Sequence, residues 1–165
     1  MERLHRNISI IGAGTWGIAI ADLLSKDIGI TIFHYNESTI TYLKEKLSHP
    51  NLPNYTLSNK IQFTTSKKIS EDLCILAIPV QYMRNTLTRF NINAKNILIL
   101  SKGIEYESLM FPTQIIKDTL GVKDQNIAVL SGPSHAELLI QREPTAVVVS
   151  SKNEDLSASI QSIIS

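Results

Sequence analysis

The sequence predicts a single doubly wound α/β domain with a mostly parallel sheet. Three observations predict it. Short runs rich in Ile, Leu and Val alternate with longer amphipathic stretches; the runs show little polar alternation, as strands buried on both faces do; and a Gly-x-Gly-x-x-Gly turn, Gly12 to Gly17, joins the first run to the first amphipathic stretch. The 165 residues suit one domain, since chains divide at roughly 100–200 residues per domain. No repeat, low-complexity segment or Pro-rich linker divides them. The expected domain covers residues 1–150, and 151–165 begin a helix leading away from it.

Ile8-Ser9-Ile10-Ile11 is the first expected strand, and the helix after the glycine turn runs over Ile18 to Lys26, with apolar residues at Ile20, Leu23 and Leu24. Ile30 to Tyr35 is the second strand. Thr39 to Leu47 has helical spacing with Ser38 as its cap, and the Pro, Asn and Ser of Pro50 to Asn59 mark a loop. Lys60 to Thr64, Leu73 to Ile78, Ile97 to Leu100, Ile127 to Leu130 and Thr145 to Ser150 are the remaining strands. Between them Gln81 to Arg89, Met110 to Leu120 and Ser134 to Gln141 have helical spacing, and Asp155 to Ile164 forms a last helix.

Composition excludes several functions. Sixteen Lys and Arg stand against 15 Asp and Glu, and a net charge of +1 gives no long-range field to gather a nucleic-acid backbone. The single Cys74 rules out an intrachain disulfide framework and a cysteine-only zinc site. It lies inside a strand with no adjacent His or Lys to activate it, as a small buried hydrophobe. His5, His49 and His135 show no metal-ligand spacing and read as surface or packed residues, so no metal is expected. No apolar run reaches the ~18 residues of a membrane span. Met1 to Asn7 carries two Arg, but Ile8 to Ile11 runs straight into glycine, so no signal peptide is read there and the cytoplasm is the expected compartment.

The glycine turn carries the chemistry. Gly12 permits a tight turn, Gly14 lets backbone N–H groups approach a pyrophosphate, and Gly17 lets helix and strand pack closely; a turn serving packing alone is the alternative. The helix that follows offers free N–H donors and a partial positive charge to an anion. A carboxylate at the end of the second strand would accept a ribose diol, but that strand ends Phe33-His34-Tyr35-Asn36, with neither a carboxylate nor an Arg at the tip. The choice between NAD and NADP stays open, with His34 and Tyr35 as candidate neighbours of the adenosine.

Ligands of doubly wound sheets lie beyond the carboxyl ends of the strands. Pro79 follows the fourth run at the expected cofactor edge. Lys102, followed by Gly103, leaves the fifth run as a compact cationic donor. Ser131-Gly132-Pro133-Ser134 follows the sixth, with Ser134 placed to cap a helix and Gly132 to allow backbone approach. Pro144-Thr145-Ala146 reads mainly as structure.

Four motifs stand in one order: Gly12-Ala13-Gly14-Thr15-Trp16-Gly17, Leu76-Ala77-Ile78-Pro79, Lys102-Gly103-Ile104, and Leu130-Ser131-Gly132-Pro133-Ser134-His135-Ala136 followed by Pro144-Thr145-Ala146. Together with Leu52-Pro53, they resemble the N-terminal, Rossmann-type NAD(P)-binding domain of the NAD(P)-dependent glycerol-3-phosphate dehydrogenase family. The resemblance implies an oxidoreductase interconverting sn-glycerol 3-phosphate and dihydroxyacetone phosphate for phospholipid synthesis. It implies that Thr15, Trp16, His34 and Tyr35 contact the cofactor, that Lys102 touches cofactor and substrate, that Gly132 and Ser134 contact glycerol 3-phosphate, and that Ala136 lines the cofactor site. His135, Leu138 and Tyr35 depart from the family's usual Phe, Glu, and Arg or His. The family continues into a helical C-terminal domain bearing a proton-accepting lysine, so these residues alone are expected to bind a dinucleotide with little turnover. The expected partner is the small-molecule substrate, with a homodimer as a further candidate. Another dehydrogenase of this architecture, or a non-catalytic dinucleotide-binding module, stands as the alternative.

Overall fold

A computed structural model describes residues 7–165; the sequence readings on Met1 to Arg6, His5 included, lie outside the described residues. The chain runs β1 (Asn7–Ile11), α1 (Thr15–Leu24), β2 (Gly29–Phe33), α2 (Glu37–Lys46), β3 (Gln62–Thr64), β4 (Lys68–Ile69), β5 (Leu73–Leu76), α3 (Val80–Leu87), β6 (Asn91–Ile92), β7 (Asn96–Ile99), α4 (Pro112–Leu120), β8 (Ile127–Ser131), α5 (Ala136–Ile140), β9 (Val148–Ser151) and α6 (Glu154–Ile164). Seven strands form one sheet in the order β3-β2-β1-β5-β7-β8-β9, and β4 pairs with β6 in a separate ribbon. Every pairing in the large sheet is parallel except β8 with β9. Strand order reverses at β1, which places a crevice between the loops after β1, β2 and β5.

The period-2 geometry of a strand explains why the central runs are uniformly apolar. Ile8 and Ile10, Leu73 and Ile75, and Leu98 face one layer, where they meet Ile18 and Leu24 of α1, Ile40 and Leu43 of α2, Ile140 of α5 and Ile160 of α6. Ile11, Cys74 and Leu76, and Ile97 and Ile99 face the other, against Val80, Met83 and Leu87 of α3 and Ile115 and Ile116 of α4. Both faces are covered, so neither tolerates a polar row. The exception is Ser9, fully buried on β1, whose hydroxyl donates to the Glu71 carboxylate.

Four expectations are corrected in detail. Asn36, not Ser38, caps α2: the helix starts at Glu37, two residues before the expected Thr39, so the extended residue that can cap it is Asn36, whose Oδ1 accepts from Thr39 N at 2.9 Å. Ser134 caps no helix either. α5 starts at Ala136, His135 occupies the cap position without a side-chain bond, and Ser134 N instead closes a turn on Gly132 O at 3.0 Å. The last strand begins at Val148 rather than Thr145, because the Thr145 hydroxyl turns back to Glu143 O at 3.1 Å. The second strand ends at Phe33, leaving His34 and Tyr35 beyond it.

Candidate functional site

The carboxyl ends of β1, β2 and β5 open into a cleft of about 430 Å³, floored by the glycine turn. Its three glycines do different work. Gly12 has φ +112°, and a Cβ there would overlap the Ala77 carbonyl. Its N–H donates to Phe33 O at 3.0 Å while Ala77 N donates to Ile11 O at 2.9 Å, so the turn is clamped between the ends of β2 and β5. A Cβ on Gly17 would lie 2.5 Å from Gly12 O, so helix and turn can touch only without a side chain. Gly14 faces open space, with no atom within 4 Å of a Cβ. It is the N-cap of α1, whose first turn carries no acidic residue. The N–H groups of that turn lack intrahelical acceptors and sit at the positive end of the helix dipole, a cradle suited to a pyrophosphate.

A loop braces this turn. His49, 9% exposed, accepts from Asn51 N at Nδ1 (3.2 Å). Burial pushes its imidazole below the ordinary value, partly offset by the Ala13 backbone. Asn51 Nδ2 in turn donates to Thr15 Oγ1 at 3.1 Å.

One wall of the cleft is His34 and Tyr35, with ring centroids 4.6 Å apart and planes tilted by 40°. His34 N donates to Thr64 O at 3.1 Å, and burial pushes its imidazole below the ordinary value. The opposite wall is Pro79 and one side of α3 and its end: Tyr82, Asn85, Thr86, Arg89 and Phe90. Sequence reasoning missed these α3 residues, although their spacing of three to four residues is the helical signal that would have found them.

Lys102 stands apart from that cleft, at the end of β7. Its Nζ donates to Gly132 O at 3.2 Å, bridging the loops after β7 and β8. The segment beyond it is held by Gln81 of α3, whose Nε2 donates to Ile104 O at 2.8 Å and whose Oε1 accepts from Tyr106 N at 3.0 Å. Arg84 of the same helix binds Glu105 at 3.1 Å and also Asp118. These two carboxylates hold its guanidinium above the ordinary value, Glu105 first.

The structure thus gathers Gly12, Gly14, His34, Tyr35 and Pro79 in one cleft, and joins Lys102 to Gly132 beside it. Trp16 points elsewhere, into a second cleft shared with Arg142, Thr145 and Ala146. Ala136 opens α5 with its side chain buried in the core. Among the described residues no three His, Cys, Asp or Glu side chains gather as metal ligands, and no helix is long and apolar enough to cross a membrane.

Strand order, crevice and glycine turn together define a Rossmann-type dinucleotide-binding domain. Known proteins narrow the class. The family model described as NAD-dependent glycerol-3-phosphate dehydrogenase N-terminus matches residues 7–157. The NAD(P)+ glycerol-3-phosphate dehydrogenase of Fusobacterium nucleatum is 36% identical over 164 residues, 94% of this chain and 49% of that protein. That of Halothermothrix orenii is 38% identical over 166 residues, 95% of this chain and 48% of that protein. The crystal structure of glycerol-3-phosphate dehydrogenase from Coxiella burnetii shares the fold, with a TM-score of 0.81 at 23% identity over 98% of this chain and 51% of that one. The chain belongs to the NAD-dependent glycerol-3-phosphate dehydrogenase family, as its N-terminal, NAD(P)-binding part. It spans about half the length of the curated relatives it matches.

Proposed function

We propose that this chain is the cofactor-holding part of an enzyme that interconverts sn-glycerol 3-phosphate and dihydroxyacetone phosphate. The observation that carries the reading is the clamped glycine turn, whose open Gly14 and free first-turn N–H groups floor a cleft at the strand-order reversal. A nicotinamide dinucleotide bound there supplies the hydride carrier. The α1 N-terminus, with Gly12 and Gly14, holds the pyrophosphate; Thr15 and Trp16 serve it through the N–H groups of the first helical turn, the Trp16 ring lying toward the second cleft, and Gly17 keeps helix and turn in contact. His34, Tyr35 and Pro79 flank the dinucleotide.

Lys102 is the cationic group of this half of the site. Held over Gly132 O, it stands where an ammonium can donate to a substrate hydroxyl or phosphate oxygen. Gly132 and Ser134 contribute the neighbouring backbone and hydroxyl donors, and Ala136 closes the site behind them. The proton acceptor for the C2 hydroxyl is assigned to the partner half of the longer relatives, so binding rather than turnover is the property proposed for these 165 residues. The whole enzyme would act in the cytoplasm, as a homodimer, at the entry to phospholipid synthesis.

Titration with NADH and NADPH, followed by Trp16 fluorescence, tests the reading. Saturable binding of a reduced dinucleotide, with dihydroxyacetone-phosphate-dependent oxidation appearing only when the longer protein is supplied, is the expected result. Failure of both cofactors to bind would sink it, and robust oxidation by these residues alone would overturn the division of labour.

A further inference from the structure

We propose that Arg89 makes this cleft selective for a dinucleotide bearing an additional phosphate on its adenosine ribose, NADPH over NADH. The inference deepens the dinucleotide reading above and rests on it.

Among the described residues lining the cleft, Arg89 alone carries a formal charge. It lies just past the end of α3, on the wall facing the glycine turn, and shares the cleft with His34 and Tyr35. The tip of β2 has no guanidinium of its own; the fold brings one from another element. Among the described residues Arg89 also enters no ion pair; those present engage Arg84, Lys117, Arg142 and Lys152. Its Nε donates to Asn85 Oδ1 at 3.1 Å, which orients the planar group and leaves both terminal nitrogens to a ligand. A guanidinium held by one edge presents its other N–H groups as a fork that matches phosphate oxygens.

The complementary observation concerns the ribose diol of an unphosphorylated cofactor. A carboxylate is the usual acceptor for that diol. No Asp or Glu lines this cleft among the described residues. Asn36 Oδ1, just past the tip of β2, already accepts from Thr39 N at 2.9 Å, from Ser38 Oγ at 2.6 Å and from Thr39 Oγ1 at 3.3 Å. Glu37, next along the chain, is exposed on the first turn of α2 and does not line the cleft. The cleft therefore offers a cation to a phosphate and no carboxylate to a diol. A carboxylate there would also have repelled the phosphate; its absence removes that barrier.

The test compares cofactors on the intact chain. NADPH is expected to bind at least about tenfold tighter than NADH, as charge-assisted hydrogen bonds to a phosphate predict. In Arg89→Gln that ratio should fall toward one through loss of NADPH affinity alone, with NADH affinity changed by less than about twofold. Arg89→Lys should restore part of the preference, because the charge returns without the fork. Competition by 2′,5′-ADP against 5′-ADP reads the same selectivity without the nicotinamide. Wild-type chain that binds NADH as tightly as NADPH overturns the assignment while leaving the dinucleotide reading standing. So does an Arg89→Gln chain that loses both cofactors equally, since the guanidinium would then act on the adenine they share. Binding of neither cofactor overturns both.

Discussion

Asp22 and Arg142 meet in an ion pair of 3.0 Å, the carboxylate almost wholly buried and the guanidinium about one-third exposed. Tyr55 Oη donates to the same carboxylate at 2.7 Å and Ser58 N at 2.9 Å. One side chain of α1 thus ties together the loop after α2 and the turn after α5. Arg142 adopts φ +61°, a left-handed conformation unfavourable to a side chain, and the contact offsets that strain. Asp22→Ala should therefore cost about 2–3 kcal/mol of unfolding free energy, less than a fully buried pair because Arg142 reaches solvent. Arg142→Ala, which leaves Tyr55 and Ser58 on the carboxylate, should cost about 1 kcal/mol. Urea denaturation of both variants measures the order, and a larger loss from Arg142→Ala would contradict it.

Gly12 and Gly14 should separate folding from binding. Gly12→Ala forces a side chain against the Ala77 carbonyl at a φ that L-residues rarely adopt, and should lower stability by about 2 kcal/mol or more. Gly14→Ala meets nothing at φ −75°, so its melting temperature should stay within a few degrees of wild type. Its methyl group would nonetheless stand in the cradle, and dinucleotide affinity should fall about tenfold or more. Thermal unfolding paired with cofactor titration distinguishes the two.

Acid should loosen the brace behind the glycine turn. Burial lowers the pKa of both His34 and His49 from the ordinary value of 6.5. The folded chain therefore binds fewer protons than the unfolded one in the window below 6.5, and this contribution is present above 6.5 and lost as pH falls through the folded-state values. Protonated His49 could no longer accept the Asn51 N–H at Nδ1, so the loop would release Thr15. The urea midpoint is expected to drop between pH 7 and 5, and a His49→Gln variant should show a shallower decline over that interval. Parallel slopes would exclude His49 as a source of the effect.

Cys74 should be chemically silent in the folded chain. It is fully buried in the middle of β5, and burial, reinforced by the Glu71 charge, pushes its thiol far above the ordinary range. Labelling by a thiol reagent at pH 8 should proceed only at the rate of opening, accelerating in step with denaturant. Immediate stoichiometric labelling without denaturant is the contrary outcome.

The central strands were legible because burial on both faces leaves a plain chemical record: nine of the 13 residues of β1, β5 and β7 are Ile or Leu. The ribbon of β4 and β6 was not, since two residues per strand carry no period. Helix caps slipped where a helix began two residues away from its apolar pattern, as at Asn36 and His135. In the site, the glycine turn and the residues just after strands could be read because their positions follow from local chain geometry. The α3 wall could not, because which face of a helix meets a cleft depends on how it packs, and the reach of Lys102 to Gly132 spans a separation that no local pattern encodes.

Helix α3 is a common mount. Gln81, near its start, fixes the strip of chain after Lys102 by one donated and one accepted bond, while Asn85, near its end, steadies Arg89. Eight residues of helix form too stiff a rod for its ends to shift independently. Any displacement at the Arg89 end of the cleft is therefore delivered, as a lever delivers it, to the segment that follows the lysine, and mutations that loosen Gln81 should be felt as a blurring of that mechanical link.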